Sequence, residues 1–136
     1  MEGTVKPLPK PTYLSEPYWR AAREHRMVAP RCRNCGFLFY PGRLCPKCLG
    51  DSFEWPALTG KGVVYSYTVI RQAAHPAFQQ EVPYVFAIIE LEEGLRIASN
   101  VVGCRLEEVR VGMAVEAVFE EISPEVTLPK FRPVTV

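Results

Sequence analysis

Residues 32–48 read CRNCGFLFYPGRLCPKC and contain two C-x2-C pairs separated by nine residues. A tight turn within each pair can direct two thiolates at one point, and two pairs complete a tetrahedral site. A closed site of this kind binds structural zinc and leaves no coordination position for a substrate. An iron site would use the same four thiolates and stays open as an alternative. The sequence therefore predicts a metal site, with zinc preferred, formed by Cys32, Cys35, Cys45 and Cys48.

The composition indicates one globular unit. The chain has 136 residues, of which 48% are hydrophobic and 23% charged, so it differs from disordered chains. Its apolar runs are far shorter than the roughly 20 residues that a membrane span needs. Residues 1–10 lack the apolar core of a signal peptide, so we expect a cytoplasmic protein, in which disulfides are disfavoured.

The near-neutral net charge of +1 hides an asymmetry along the chain. Residues 17–50 carry seven Lys and Arg against one Glu, for a net charge of +6. Residues 81–125 carry ten Glu against three Arg, for a net charge of −7. Scattered solvated charges would explain this, but the asymmetry also suggests that the basic segment meets an anion and the acidic segment another partner.

Three regions follow from the patterning. Residues 1–13 carry Pro7, Pro9 and Pro11 and are expected to form an extended arm. Residues 14–56 are expected to contain a helix, capped at Ser15 and running from Glu16 to about Arg26, followed by the zinc ribbon. Residues 57–136 form the third region. The fifth cysteine, Cys104, lies in a small apolar context and is expected to be a buried structural residue.

The third region is rich in β-branched and aromatic residues, so the fold should be mainly β. We predict strands over residues 63–70, 84–91, 95–102, 114–122 and 131–136, with a hairpin turn at 92–94 and a short helical segment near Leu106. Five strands with a helical segment between the third and fourth are typical of a five-stranded OB-fold barrel. The long connection 71–83 contains His75 and Phe78, and loops of this size are often functional.

The order of these pieces resembles a specific family of OB-fold, acyl-CoA-associated proteins with an N-terminal rubredoxin-like zinc ribbon, long known as a domain of unknown function. The resemblance covers nearly the whole chain, from Pro17 to Pro133. The matching motifs are YWRAA at 18–22, CRNCG at 32–36, YPGR at 40–43, CPKC at 45–48, GKGVVYSYT at 60–68, VPY at 82–84, VVGC at 101–104 and PKFRP at 129–133.

The resemblance implies a non-catalytic accessory subunit of a thiolase-superfamily enzyme. Such a subunit binds CoA or its ester, while the thiolase or aldolase partner supplies the cysteine and histidine chemistry. CoA needs cations for its phosphates and an aromatic or apolar shelf for the rest. Candidates in the basic segment are Trp19, Arg20, Arg23, Arg43 and Lys47, and a second set is Lys130, Phe131 and Arg132. Candidate anchors for the partner enzyme are Phe37, Phe39, Tyr40, His75 and Phe78.

Two other functions compete with this interpretation. An independent enzyme would need a nucleophile and a base, but the chain has only His25 and His75 and no hydrolase, metalloprotease or phosphate-loop motif. A single-stranded nucleic-acid binder is the alternative, because zinc ribbons and OB barrels recur in that class. The expected second and third strands carry Glu90 and are joined by Glu92 and Glu93, which argues against binding a phosphate backbone.

Overall fold

The computed structural model describes residues 9–10, 12–39, 43–73 and 75–134. One helix, α1 (Glu16–Arg23), precedes a small antiparallel pair formed by β1 (Arg31–Cys32) and β2 (Phe53–Glu54). Within the described residues no helix is long and apolar enough to cross a membrane. The remaining strands are β3 (Lys61–Ile70), β4 (Tyr84–Leu91), β5 (Arg96–Val101), β6 (Ala114–Glu121) and β7 (Thr127–Pro133).

These five strands close into a barrel in the order β3-β4-β5-β7-β6. All neighbours are antiparallel except β5 and β7, which meet in parallel at Val101 and Phe131. A short 3-10 helix (Leu106–Glu108) lies between β5 and β6, and a second one (Pro76–Phe78) lies in the long β3–β4 connection. The expected mainly β fold, with a helix, a ribbon and a five-stranded OB barrel, is confirmed.

The barrel encloses the main core. β4 was predicted with its observed bounds, and its alternate residues Val85, Ala87, Ile89 and Leu91 are buried. Phe131 of β7 is fully buried among them. Cys104 packs against the edge of this core and is half-buried, so it is less enclosed than the sequence suggested.

The helix is shorter than expected. It ends at Arg23, because the N–H groups of Glu24 and His25 turn to the carbonyls of Ala21 and Ala22, three residues back. His25 then adopts a left-handed φ of 60°, which stops the helix before Arg26. Ser15 gives no side-chain cap to the helix; its hydroxyl accepts the N–H of Thr12 at 2.9 Å instead.

The last strand begins at Thr127, four residues before the expected Phe131. Pro129 argues against a strand in sequence, but here its carbonyl accepts the Ser99 hydroxyl at 3.0 Å from the β5 side. Its missing N–H therefore costs the β6–β7 ladder no bond. The end of the predicted strand, residues 135–136, lies outside the described residues, as does most of the expected arm over 1–13.

The end of α1 docks on the barrel. Arg23 donates to the carbonyl of Glu125 at 3.1 Å, and the His25 ring stacks on Phe119 with centroids 5.3 Å apart. Met27 is part of the barrel core, and its carbonyl accepts the N–H of Leu58 at 2.8 Å. These contacts fix the end of the helix against β6 and β7.

Candidate metal centre and ligand surfaces

The four cysteines of the two C-x2-C pairs converge on one point. Their sulfur atoms all lie within 4.8 Å of one another. The Sγ atoms of Cys32 and Cys48 are 3.4 Å apart, and those of Cys35 and Cys45 are 3.6 Å apart. One cysteine of each pair is buried and the other exposed, so the cage sits at the surface with its inner side closed.

The two turns that carry the cysteines share one hydrogen-bond pattern. In the first, Cys32 accepts the N–H of Gly36 and donates to the carbonyl of Phe37, both at 2.9 Å. In the second, Cys45 accepts the N–H of Leu49 and donates to the carbonyl of Gly50, both at 2.8 Å. The fifth residue of each turn has a left-handed φ, 78° at Gly36 and 65° at Leu49. This repeat directs both pairs of sulfurs inward.

Backbone also closes the inner side of the cage. A Cβ added to Gly50 would lie 3.4 Å from the sulfurs of Cys32 and Cys48 and 3.1 Å from the Asn34 amide nitrogen. A residue larger than glycine would contact both sulfurs at this position and would require the Asn34 side chain to move by a few tenths of an ångström.

The thiols of the cage do not titrate alike. Backbone hydrogen bonds, first that of Cys35, hold the pKa of Cys32 below its usual value. Burial opposes ionisation of Cys45, but N–H groups of Cys48 and Lys47 outweigh it and lower its pKa to about 7. For Cys48 the backbone of Gly50 favours the thiolate, yet the neighbouring thiols raise the pKa to about 12. Four sulfurs this close can all ionise only around a cation, and a four-thiolate tetrahedral set suits Zn²⁺.

The aromatic anchors expected in the ribbon divide between its interior and its surface. Phe39 is buried against Phe53 with ring centroids 5.1 Å apart, so it belongs to the ribbon core and is not available to a partner. Phe37 is exposed, and the Lys47 ammonium lies 5.6 Å from its ring centre. Tyr40 lies outside the described residues.

The two anchors expected in the β3–β4 connection lie side by side. His75 is exposed and Phe78 half-buried, with their rings 6.3 Å apart. The Nδ1 atom of His75 accepts the N–H of Ala77 at 3.0 Å and so caps its own 3-10 turn. The Nδ1 atom of His75 is therefore engaged within its own turn.

The helix residues expected to bind CoA already have partners within the chain. Trp19 is half-buried and packs edge-to-face on Tyr18 at 5.0 Å. Arg20 and Arg23 both approach the Glu16 carboxylate, at 3.4 and 3.5 Å. Because the side chains of these ion pairs are between one third and two thirds exposed, each pair contributes little stability and leaves the cation able to meet another anion.

The expected CoA residues do not form one site. Arg20 lines a groove of about 740 Å³ between α1 and the ribbon, whereas Lys47 lines a different groove beside Arg96. Arg43 is exposed. The second set is dispersed as well, since Lys130 pairs with Glu120 at 2.6 Å, Arg132 pairs with Glu116 at 2.9 Å, and Phe131 is in the barrel core. Phe131 therefore cannot contact a ligand at the surface.

The groove beside Arg20 contains residues that sequence reasoning missed. Arg33, Trp55 and Tyr13 join Arg20 along its wall. Arg33 lies inside the first C-x2-C pair, where its type and spacing gave no sign of a separate role. Two cations and two aromatic rings along one groove are the elements that a nucleotide with phosphates requires.

The two histidines and Cys104 each interact with neighbouring groups of the chain. The Nε2 atom of His25 lies 3.1 Å from a Glu121 oxygen, and His75 is engaged in its turn. Burial, with the nearby Glu108 carboxylate, raises the pKa of the Cys104 thiol and so disfavours the thiolate. Among the described residues, neither histidine makes a hydrogen bond to a cysteine.

Comparison with known proteins identifies the family. The ChsH2 rubredoxin-like zinc ribbon domain matches residues 19–54, and the ChsH2 C-terminal OB-fold domain matches residues 55–120. A DUF35 domain-containing scaffold protein of Methanocaldococcus jannaschii is 46% identical over 110 residues, which are 79% of this chain and 77% of that protein. The chain belongs to the DUF35 family of ChsH2-type zinc-ribbon and OB-fold proteins. The expected family, and the zinc ribbon with its four cysteines, are thereby confirmed.

Other similar proteins are described as enzyme subunits or as part of an enzyme complex. In a solved structure described as an Ltp2-ChsH2(DUF35) aldolase, one chain superposes with a TM-score of 0.84 at 39% identity, covering 94% of this chain and 100% of that one. A probable enoyl-CoA hydratase alpha subunit of Thermomonospora curvata is 44% identical over 85% of this chain, which spans 36% of that subunit. The benzoylsuccinyl-CoA thiolase subunit BbsA of Thauera aromatica is 38% identical over 54% of this chain and 49% of BbsA.

Proposed function

We propose that this protein is a non-catalytic accessory subunit of a thiolase-superfamily enzyme, a thiolase or aldolase acting on acyl-CoA. The observation that carries the proposal is the whole-length match to a chain of the Ltp2-ChsH2(DUF35) aldolase, at 39% identity and a TM-score of 0.84. The match to a benzoylsuccinyl-CoA thiolase subunit supports the same class of partner. In this role the protein binds the CoA ester and completes the active complex.

The distribution of reactive groups supports a subunit without chemistry of its own. Both histidines have structural partners, and the half-buried Cys104 is held as a thiol. The four remaining cysteines form a closed cage. Such a chain contributes surfaces, and the cysteine that forms or cleaves the carbon–carbon bond belongs to the partner.

The groove between α1 and the ribbon is the best surface for the CoA nucleotide. Arg20 and Arg33 offer cations for its phosphates, while Trp55 and Tyr13 offer aromatic faces for the adenine. Glu16 and Asp51 also line the groove, so binding depends on the arginines outweighing them. Lys130 and Arg132 are weaker candidates, because their carboxylate partners lie at 2.6 and 2.9 Å, closer than the 3.4 Å between Arg20 and Glu16.

The subunit role is tested by reconstitution. Turnover of a CoA ester is measured with this chain alone, with the thiolase-fold enzyme encoded nearest to it alone, and with the mixture. We expect turnover in the mixture only, and loss of it when the partner's catalytic cysteine is replaced. Turnover by this chain alone, or full turnover by the partner without it, would contradict the proposal.

The CoA groove is tested separately in the assembled complex. Charge reversal of Arg20 and Arg33 to Glu should weaken CoA-ester binding at least tenfold at low salt, since two phosphate contacts are replaced by repulsion. Arg26→Glu is the matched control, because Arg26 is exposed, pairs with Glu24 and lies outside this groove. Equal affinity in the double variant and the control would place CoA on another surface.

A second class of partner has its own support. The hydratase alpha subunit is 44% identical over 85% of this chain, so a hydratase acting on enoyl-CoA is the alternative enzyme. The reconstitution distinguishes the two when hydration of an enoyl-CoA is followed beside carbon–carbon bond cleavage. Hydration alone would assign the chain to a hydratase complex.

A further inference from the structure

The second half of β3 has an open edge. β3 pairs with β4 along nearly its whole length, but with β6 only from Lys61 to Val63. The next residue, Val64, donates to the carbonyl of Met113 at 3.0 Å and accepts the N–H of Gly112 at 2.8 Å. Beyond Val64, no strand among the described residues pairs with this edge of β3.

The hydrogen-bond pattern identifies the backbone groups on the open edge. Leu91 donates to the carbonyl of Leu95 at 2.8 Å, so its backbone faces β5. Because backbone groups alternate between the two edges of a strand, Ala87 and Val85 also face β5. Their partners on β3, Tyr67 and Val69, therefore turn their N–H and C=O groups away from β4 and toward the open edge.

This edge lacks the usual protection against pairing. Natural edge strands are guarded by charged residues, proline or bulges that bend them away. Residues 65–70 read YSYTVI, with neither a charge nor a proline, and their β-propensity is high. The bulge between Val64 and Ser66 lies where β6 ends its pairing, before the open stretch. Tyr65 and Tyr67 are exposed along it.

The charges at the two ends of the edge indicate what covers it. Arg71 follows the strand, and Arg110 immediately precedes the turn whose Gly112 and Met113 bond to Val64. Both arginines are exposed, and neither forms an ion pair in the described part of the chain. The Arg96 guanidinium stacks on Tyr65, 3.8 Å from the centre of the ring. The same guanidinium also lies 3.6 Å from the Glu90 carboxylate. The edge is thus uncharged in the middle and basic at both ends.

A second copy of this chain fits the edge poorly. An antiparallel self-pair with Tyr67 opposite Val69 would set Arg71 of each copy opposite Tyr65 of the other, beside the segment that carries Arg110. Two pairs of like charges would then meet at the rims, and such contacts disfavour association. A strand with carboxylates at its ends would meet these cations favourably.

We propose that residues 65–70 are a docking edge for an extended segment of a partner protein, uncharged at its centre and flanked by carboxylates, which adds to the barrel as a further strand. Backbone bonds to Tyr67 and Val69 would supply affinity, and the terminal arginines would select the segment. This docking edge is defined by the residues of this chain alone. It rests on the proposed function only in assuming that a partner protein exists.

Amide hydrogen exchange of the full chain tests the edge directly. In the free chain the amides of Tyr67 and Val69 should exchange fast, whereas that of Val64, already bonded, should be protected. In complex with the thiolase-fold enzyme, exchange at Tyr67 and Val69 should slow at least tenfold. A complex in which both remain fast would overturn the docking edge and leave the accessory-subunit role intact. Protection in the chain alone, with sedimentation as a dimer, would assign the edge to a second copy and also overturn it.

If that enzyme does not bind, the proposed function fails, and the docking edge is then tested separately by peptide binding. Two synthetic peptides share a Thr-Val-Thr-Val centre and carry either Glu or Lys at both ends. The Glu-ended peptide should protect Tyr67 and Val69 more strongly, and Arg71→Glu should reduce its affinity about three- to fivefold. Arg105→Glu is the matched control, since Arg105 is exposed and lies on the β5–β6 connection. Equal effects of the two peptides, or none, would overturn the proposal.

Discussion

The ribbon and the barrel are stabilised in different ways. The ribbon core consists of Cys32, Phe39 and Cys45, with Phe53 packed against them, and two of these are metal ligands. Among the residues that the structure describes, the barrel core has eleven buried residues, enclosed by five strands. A segment as small as the ribbon buries too little apolar surface to fold by packing alone. The ribbon should therefore depend on its metal, while the barrel should not.

Removal of the metal should have the largest effect. Structural zinc contributes roughly 10–16 kcal/mol to small metal-bound domains at pH 7, so a chelator should unfold the β1–β2 ribbon and leave β3–β7 folded. Cys45→Ser should do the same, because Cys45 is a buried ligand. Metal analysis should give about one zinc per chain, from one four-thiolate site, and amide exchange should report which strands open.

Cys104→Ser is the matched control for this experiment, since Cys104 lies outside the cage. Its zinc content should equal that of the unaltered chain. A metal-free sample with a protected ribbon would show that packing suffices there, and iron in place of zinc would correct the metal while keeping the ligands.

The stability of the barrel should depend on packing of its core and not on the metal. Phe131→Ala removes a fully buried ring, and truncations of this kind cost about 3–5 kcal/mol. Thermal unfolding should show a lower midpoint temperature for the barrel of this variant. Zinc should still be bound at temperatures where the variant is folded. Phe86→Ala is the control, because Phe86 is exposed on β4 and should cost much less. Equal losses in the two variants would contradict the placement of Phe131 in the core.

Sequence reasoning succeeded where local pattern determines structure. The cysteine spacing alone specified the metal cage, and the apolar run at Tyr84–Leu91 gave β4 with its observed bounds. It failed where a contact distant in sequence compensates for a local signal. Pro129 is tolerated inside β7 only because its backbone faces β5, and nothing near it in sequence indicates that.

The ligand surface was the least predictable part. The cations of residues 17–50 looked like one basic surface, but the fold distributes Arg20 and Lys47 to different grooves. Ion pairs such as Arg23 with Glu16 and the carbonyl bond to Glu125 depend on how α1 docks on the barrel. The open edge of β3 could not be predicted from the sequence either. It depends on how far β6 pairs along β3, which only the folded chain shows.

A smaller effect is expected from crowding the metal cage. Gly50→Ala would place a methyl group in van der Waals contact with two sulfurs at 3.4 Å and only 3.1 Å from the Asn34 amide nitrogen, so the Asn34 side chain must give way beside the cage. Overpacking of this kind costs about 1–3 kcal/mol, which predicts a zinc affinity at least several-fold weaker in a chelator competition. Gly94→Ala is the control for zinc affinity, since its Cβ would meet nothing within 4 Å; its left-handed φ of 92° strains the β4–β5 turn and should cost stability there without weakening zinc binding. Unchanged zinc affinity in Gly50→Ala would show that the cage adapts.

The smallest effect should come from the substitution Leu49→Gly, which is expected to stabilise the ribbon, whereas the other substitutions destabilise the chain. Leu49 occupies the left-handed position of the second turn, where the first turn has Gly36, and its side chain is 70% exposed. The left-handed conformation costs an L-residue about 1–2 kcal/mol, and the added flexibility of glycine in the unfolded chain offsets roughly 0.5–1 kcal/mol of that. Leu49→Gly should therefore stabilise the zinc-bound ribbon slightly, by up to about 1.5 kcal/mol, measured by denaturant unfolding followed at the ribbon amides.

The converse substitution sharpens the comparison between the two turns. Gly36→Leu should destabilise the ribbon by a similar amount, since its φ is also left-handed and a Cβ there would meet only open space. If Leu49→Gly instead destabilised the ribbon, the leucine side chain would be contributing packing that outweighs the backbone strain. If it stabilised the free chain but weakened the complex with the partner enzyme, the strained and exposed leucine would be a contact residue, and the metal-dependent ribbon would then be part of the binding surface.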